Sequence, residues 1–133
     1  MAKTQYKIIS AKDFVKAHPT GELNLEQSKQ VLRELASIAQ PPADYEILLD
    51  IREVNEYSTE KFNYTHLYEL VGVLVENRQS FRNKLAILAR DDEQLDKARF
   101  LELCASNRGF LIEVFTTFED AIGWLVQEVE IER

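Results

Sequence analysis

Residues 46–62 read Glu-Ile-Leu-Leu-Asp-Ile-Arg-Glu-Val-Asn-Glu-Tyr-Ser-Thr-Glu-Lys-Phe, and the change of character inside this stretch decides the fold. Its first half, 47–51, is apolar apart from Asp50 and short enough to be a buried strand. Its second half is polar and carries Ser58 and Thr59, side chains suited to capping a following helix. A strand that runs through a polar loop into a helix N-terminus builds a site at the carboxyl edge of a parallel sheet.

Upstream, residues 6–11 and 14–18 are short, β-rich and separated by Lys12-Asp13, a hairpin pattern, and Pro19-Thr20-Gly21 closes the second strand. Asn24 with Gln27 three residues on forms a capping-box signature. Leu25, Val31, Leu32, Leu35, Ala36 and Ala39 then recur at helical spacing until Pro41-Pro42 stops the helix.

Downstream, a second helix is expected from Ser58 or Thr59 to about Phe81. Leu67, Leu70, Val71, Leu74 and the stem of Arg78 form its buried stripe, widened by Tyr64, Tyr68 and Val75. Phe62, His66 and Val73 lie up to roughly 140° from Leu67 on a helical wheel. They form a candidate interface, which a homodimer would cover. The run 84–90 is a second strand apolar on both faces, as in helix-covered parallel sheets. Asp91 or Asp92 caps a third helix with a stripe of Ala98, Leu101 and Ala105, and Gly109 ends it. Leu95 and Leu103 lie off that stripe. Residues 110–115 form the last strand. Thr117 then caps a final helix with Asp120 at its third position, and Phe118, Ala121, Ile122, Leu125 and Val129 face the core. The expected architecture is one α/β domain over 1–133: a mostly parallel sheet with an N-terminal hairpin strand and four helices, in the order ββαβαβαβα.

The totals narrow the function. With 16 Lys and Arg against 23 Asp and Glu, the net charge of −7 disfavours nucleic acid, whose non-specific binding needs a cationic surface. Cys104 is the single cysteine, so no internal disulfide and no multi-cysteine metal site is expected. The first residues lack a signal-peptide core and no apolar run reaches membrane-spanning length, which points to a cytoplasmic protein without integral membrane association.

Several motifs together resemble the SpoIIAA-like branch of the STAS superfold, also labelled STAS/SEC14-like. They are Gly21-Glu22-Leu23, the run Ile47-Leu48-Leu49-Asp50-Ile51-Arg52 and the run Lys84-Leu85-Ala86-Ile87-Leu88-Ala89. The most specific is the ending Val114-Phe115-Thr116-Thr117-Phe118-Glu119-Asp120-Ala121-Ile122-Gly123-Trp124-Leu125. The resemblance spans roughly the whole chain and implies a βα superhelix with an extra antiparallel strand at its start. In the signalling branch an Asp-Ser-Ser-Gly-like motif opens the second helix and its serine is phosphorylated by a partner kinase. Laid on this chain, that pattern places Ser58 on the aspartate and Thr59 on the phosphoacceptor, with both the aspartate and the glycine replaced.

Ser58 and Thr59 are therefore read as helix caps and as candidate phosphoacceptors. Arg52 and Arg90, at the ends of parallel strands, could flank a crevice with Thr116 and Thr117, suited to a small anion or a partner's carboxylate. Surface pairing of those arginines with Glu53, Asp91 or Asp92 is the plainer reading. His18 and His66 have no metal-binding spacing, and no nucleophile elbow or phosphate-cradling glycine loop is present, so no catalytic residue, cofactor or metal is assigned. The expectation is a non-enzymatic regulatory or protein-interaction module. Its alternative is a carrier or sensor of a small hydrophobic molecule or lipid, which would need an apolar cavity of several hundred Å³.

Overall fold

In the computed structural model, residues 14–55 and 63–127 are described in full and residues 3–9 as backbone. Strand β1 (Lys3–Ile9) pairs antiparallel with β2 (Phe14–Glu22), giving the expected hairpin. Helix α1 (Leu25–Ile38) starts in the capping box read from the sequence. The Asn24 side chain accepts the Gln27 amide at 2.8 Å, and the Gln27 side chain accepts the Asn24 amide at 3.0 Å.

Strands β3 (Glu46–Asp50), β5 (Leu85–Leu88) and β6 (Ile112–Phe115) are neighbouring and parallel, as the alternation of apolar runs and capped helices implies. The sheet runs β1-β2-β3-β5-β6.

The order differs from ββαβαβαβα by one short strand, β4 (Val54–Asn55), which precedes helix α2 (Tyr64–Glu76). Its cause lies in β2. Pro19-Thr20-Gly21 does not close that strand; β2 continues to Glu22. The ladder to β3 ends at Ala17, and Gly21 and Glu22 overhang it, free to pair with Val54 and Asn55. Pro19 falls in the gap between the two ladders, where a missing N–H costs least. Gly21 takes a φ of 85°, a conformation that favours glycine.

The start of α2 also departs from expectation. Its N-cap is Asn63, which accepts the His66 amide at 2.9 Å while the His66 ring receives the Asn63 amide. His66 thus plays the part Gln27 plays in α1. Ser58, Thr59 and Phe62 lie outside the described residues. The helix ends at Glu76, short of Phe81, which is buried in the core beyond it.

Helices α1, α2 and α3 (Glu93–Ser106) cover one face of the sheet, and α4 (Phe118–Val126) covers the other. On the three-helix face Val15, Ala17, Ile47, Leu49 and Ile87 meet the buried stripes, including Leu67, Leu70, Val71 and Leu74 as expected. The alternate residues Phe14, Leu48, Ala86 and Leu88 meet Ala121 and Leu125. That two-sided burial is why the strands read as continuous apolar runs.

Two flanks of α2 exchange roles relative to the helical-wheel reading. Val73 is buried in the core and His66 is half-buried, because α1 packs along that side, tied by an ion pair of 3.1 Å between Lys29 and Glu69. Tyr64, Tyr68 and Val75, read as part of the buried stripe, are exposed.

Helix α4 has no basic residue in its own last turn. Lys84, buried beside the start of β5, supplies one: its Nζ donates to the Trp124 carbonyl at 2.8 Å and to the Gln127 carbonyl. It also lies 5.3 Å from the centre of the Trp124 ring. A cation at a helix C-terminus satisfies orphan carbonyls and complements the dipole. Lys84→Met should keep the volume and lose the cap, lowering the free energy of urea unfolding by about 1–3 kcal/mol. An unchanged urea midpoint would show that the contact contributes nothing to stability.

Candidate functional site

The carboxyl ends of β2, β3 and β5 are closed by a turn over residues 51–53, and this turn is built from polar side chains rather than apolar ones. Asp50 is only 2 % exposed. Its Oδ1 accepts the Arg52 amide at 3.1 Å and Arg52 Nε at 3.0 Å, and its Oδ2 accepts Arg52 Nη2 at 3.0 Å. Burial alone pushes the Asp50 carboxyl up; the side-chain and backbone hydrogen bonds from Arg52 outweigh it and hold the group below its usual range. The same bonds raise Arg52 in turn.

A second layer lies beneath. Arg90 donates through Nη1 to the carbonyls of Arg52 at 2.5 Å and Val54 at 2.9 Å, and through Nε to Asp92 at 2.9 Å. Gln94, buried in the first turn of α3, donates to the Ile51 carbonyl at 2.8 Å and accepts the Arg90 amide at 2.8 Å. Asp92 is the N-cap of α3, accepting the Gln94 amide, a bond that with Arg90 holds its carboxyl below the ordinary value.

Arg90 is brought to Arg52 through the Arg52 backbone carbonyl, and the polar atoms of both side chains are largely engaged by their own chain. Asp92 is the partner the plainer reading gave Arg90; Arg52 pairs with Asp50, two residues back at the end of β3. Thr116 is exposed and Thr117 caps α4, its hydroxyl accepting the Asp120 amide at 3.2 Å. No contact joins either threonine to the arginines among the described residues. The first turn of α4 reaches Arg52 through Glu119, whose charge helps raise it.

The Nε2 of His18 lies 3.2 Å from Glu53 Oε2. The outer surface of the edge thus carries His18, Arg52, Glu53 and Glu119, two potential cations and two acids. Among the described residues no group of His, Cys, Asp or Glu is placed to hold a metal ion. The sequence signals for this arrangement were slight: an acid inside an apolar strand, and an arginine two residues beyond it. Nothing local marked Gln94, which acts on backbone atoms 43 residues away.

Below the turn, between the sheet and the three helices, is an apolar cavity of about 120 Å³. Leu23, Leu32, Leu49, Ile51, Leu70 and Leu101 are among the residues that line it.

No family model matches the chain, and no curated protein does. Solved structures match along almost its full length. One is an uncharacterized protein of the DUF3478 family with a SpoIIAA-like fold from Shewanella loihica PV-4, at a TM-score of 0.61 and 17% identity over 93% of both chains. Another is an anti-sigma factor antagonist from Mycobacterium paratuberculosis, at a TM-score of 0.58 and 12% identity over 96% of both chains. The fold is SpoIIAA-like. Both neighbours are of STAS type, which agrees with the resemblance carried by the sequence motifs. No described helix is long and apolar enough to cross a membrane.

Because the Asp50 carboxyl is lowered in the folded state, its contribution to stability is present above the unfolded value of about 3.9. It is lost as pH falls through the lower folded value. Asp50→Asn should therefore cost about 1–3 kcal/mol at pH 7. The gap to wild type should narrow in acid, below about pH 4. Urea melts of both proteins across pH 2–7 measure it; a gap independent of pH would assign the loss to packing.

Proposed function

We infer that the protein is a non-enzymatic regulatory module that binds another protein through the carboxyl edge of its sheet. The carrying observation is the state of that edge. Asp50, Arg90 and Gln94 each bond to the turn, and Gln94 accepts the Arg90 amide, so the backbone of 51–54 is held in one shape. Arg52, Glu53 and Glu119 remain at the surface as a fixed pattern of mixed charge. Guanidinium groups engaged by internal carboxylates and carbonyls are poorly placed to clamp a reacting anion. A rigid charged outline, by contrast, favours selection among partners. An anti-sigma factor antagonist among the neighbours supports a role in protein recognition. Ser58 and Thr59 fall within a few residues of this edge along the chain, and a phosphoryl group there would change its charge.

The carrier reading is less well supported. Its cavity should be apolar and hold several hundred Å³, against about 120 Å³ in the apolar cavity beneath the turn.

Photo-crosslinking in the native host tests the interaction. A photoreactive residue at Glu53 or Glu119 should trap one discrete protein adduct, and one at Arg33, on α1, should not. With the photoreactive residue at Glu53, Glu119→Lys should weaken capture at least about tenfold, the scale of one lost charged contact. Equal labelling at all three positions would remove the carboxyl edge as the binding surface.

A further inference from the structure

The outer surface of α2 and α3 carries apolar side chains that stand exposed among the described residues. Tyr64 is 56% exposed, Tyr68 53% and Leu103 57%. The Tyr64 ring packs edge-on against Phe100 at 4.7 Å between centroids, so the two helices present one continuous aromatic surface. Arg108 extends it, stacking 4.8 Å from the centre of the Tyr68 ring and donating to its hydroxyl. Clustered exposed apolar groups of this kind mark interaction sites more often than scattered ones do.

The charges on this face indicate what covers it. Asp96 and Arg99 are exposed, one turn apart, on the side of α3 opposite its buried residues Gln94, Ala98, Leu101 and Ala105. Leu103 shares that side, and half-buried Phe100 lies between it and α2, packed partly against the core. Neither Asp96 nor Arg99 has an ion-pair partner among the described residues. A surface matched to an acidic or a basic partner would carry one sign. An acid and a base on one helix face are self-complementary: when two copies of α3 cross antiparallel about a two-fold axis, Asp96 of each meets Arg99 of the other. Closed two-fold dimers require this reciprocity. It also gives two acidic chains, each of net charge −7, a locally balanced zone of contact.

We propose that the protein forms a two-fold homodimer through the α2–α3 face, with Tyr64, Phe100 and Leu103 in its centre and reciprocal Asp96–Arg99 pairs beside them. This is not the flank read from the sequence: Val73 belongs to the core, and the aromatic side of α2 takes its place. The dimer does not depend on the reading of the carboxyl edge, whose charged residues lie on other elements.

Sedimentation equilibrium over about 1–200 µM tests it, since a homodimer's assembly follows protomer concentration. Wild type should dimerise. Asp96→Arg and Arg99→Asp, each made alone, place like charges together and should raise the dissociation constant at least tenfold. The double variant Asp96→Arg/Arg99→Asp should restore it, a rescue that general loss of structure would not give. Leu103→Lys, at an exposed helix position, should abolish the dimer with circular dichroism unchanged. A wild type that stays monomeric overturns the proposal and leaves the face to a different protein. So does a dimer indifferent to all four variants, because its interface lies elsewhere.

Discussion

The buried amide of Gln94 is the bond on which the carboxyl edge depends. One side chain donates to the end of β3 and accepts from the end of β5, so it sets the distance between two strand ends after their ladder has stopped. Arg90 then reaches across the same gap to the carbonyls of Arg52 and Val54. Without these bonds the carbonyls of Arg52 and Val54 would lose their guanidinium donor, at a cost of about 1–3 kcal/mol each.

These bonds place the charged surface on a rigid support rather than on a free loop. Gly21 donates its amide to the Glu53 carbonyl, and His18 meets the Glu53 side chain, so β2 holds the turn from the other side. The pattern is fixed by strands on two flanks and a helix start below. A module that must discriminate between partners gains from such fixed geometry, because less side-chain freedom is lost on binding.

The fold was legible where local chemistry and burial agreed. Asn24 with Gln27, Asp92, Gly109 and Thr117 each marked a helix end through bonds to their own neighbours, and each sits where that chemistry requires. The apolar runs of β3, β5 and β6 gave parallel neighbours because both faces of the sheet are covered. Legibility failed where a residue served a distant partner. Pro19 reads as a turn in isolation, and only the overhang of β2 makes it tolerable within a strand. Ser58 and Thr59 are good caps by type, but Asn63 with His66 satisfies the first amides of α2. Val73 and Tyr68 lie on opposite flanks of one helix, and composition does not say which flank meets α1.

The candidate site was less legible for the same reason. Arginines at strand ends invite an anion-binding reading, and both do lie just beyond the ends of β3 and β5. What the sequence could not supply was the hydrogen-bond ledger: whether each guanidinium has donors left after the backbone has taken its share. Asp50 shows how the balance falls. An unpaired carboxylate at 2 % exposure would be strongly destabilising, so Arg52 must serve it first. With that obligation met, Arg52 offers a partner only the outer edge of its guanidinium. On the proposed role, recognition at this surface would rest on Arg52, Glu53 and Glu119 together, not on one grasping cation.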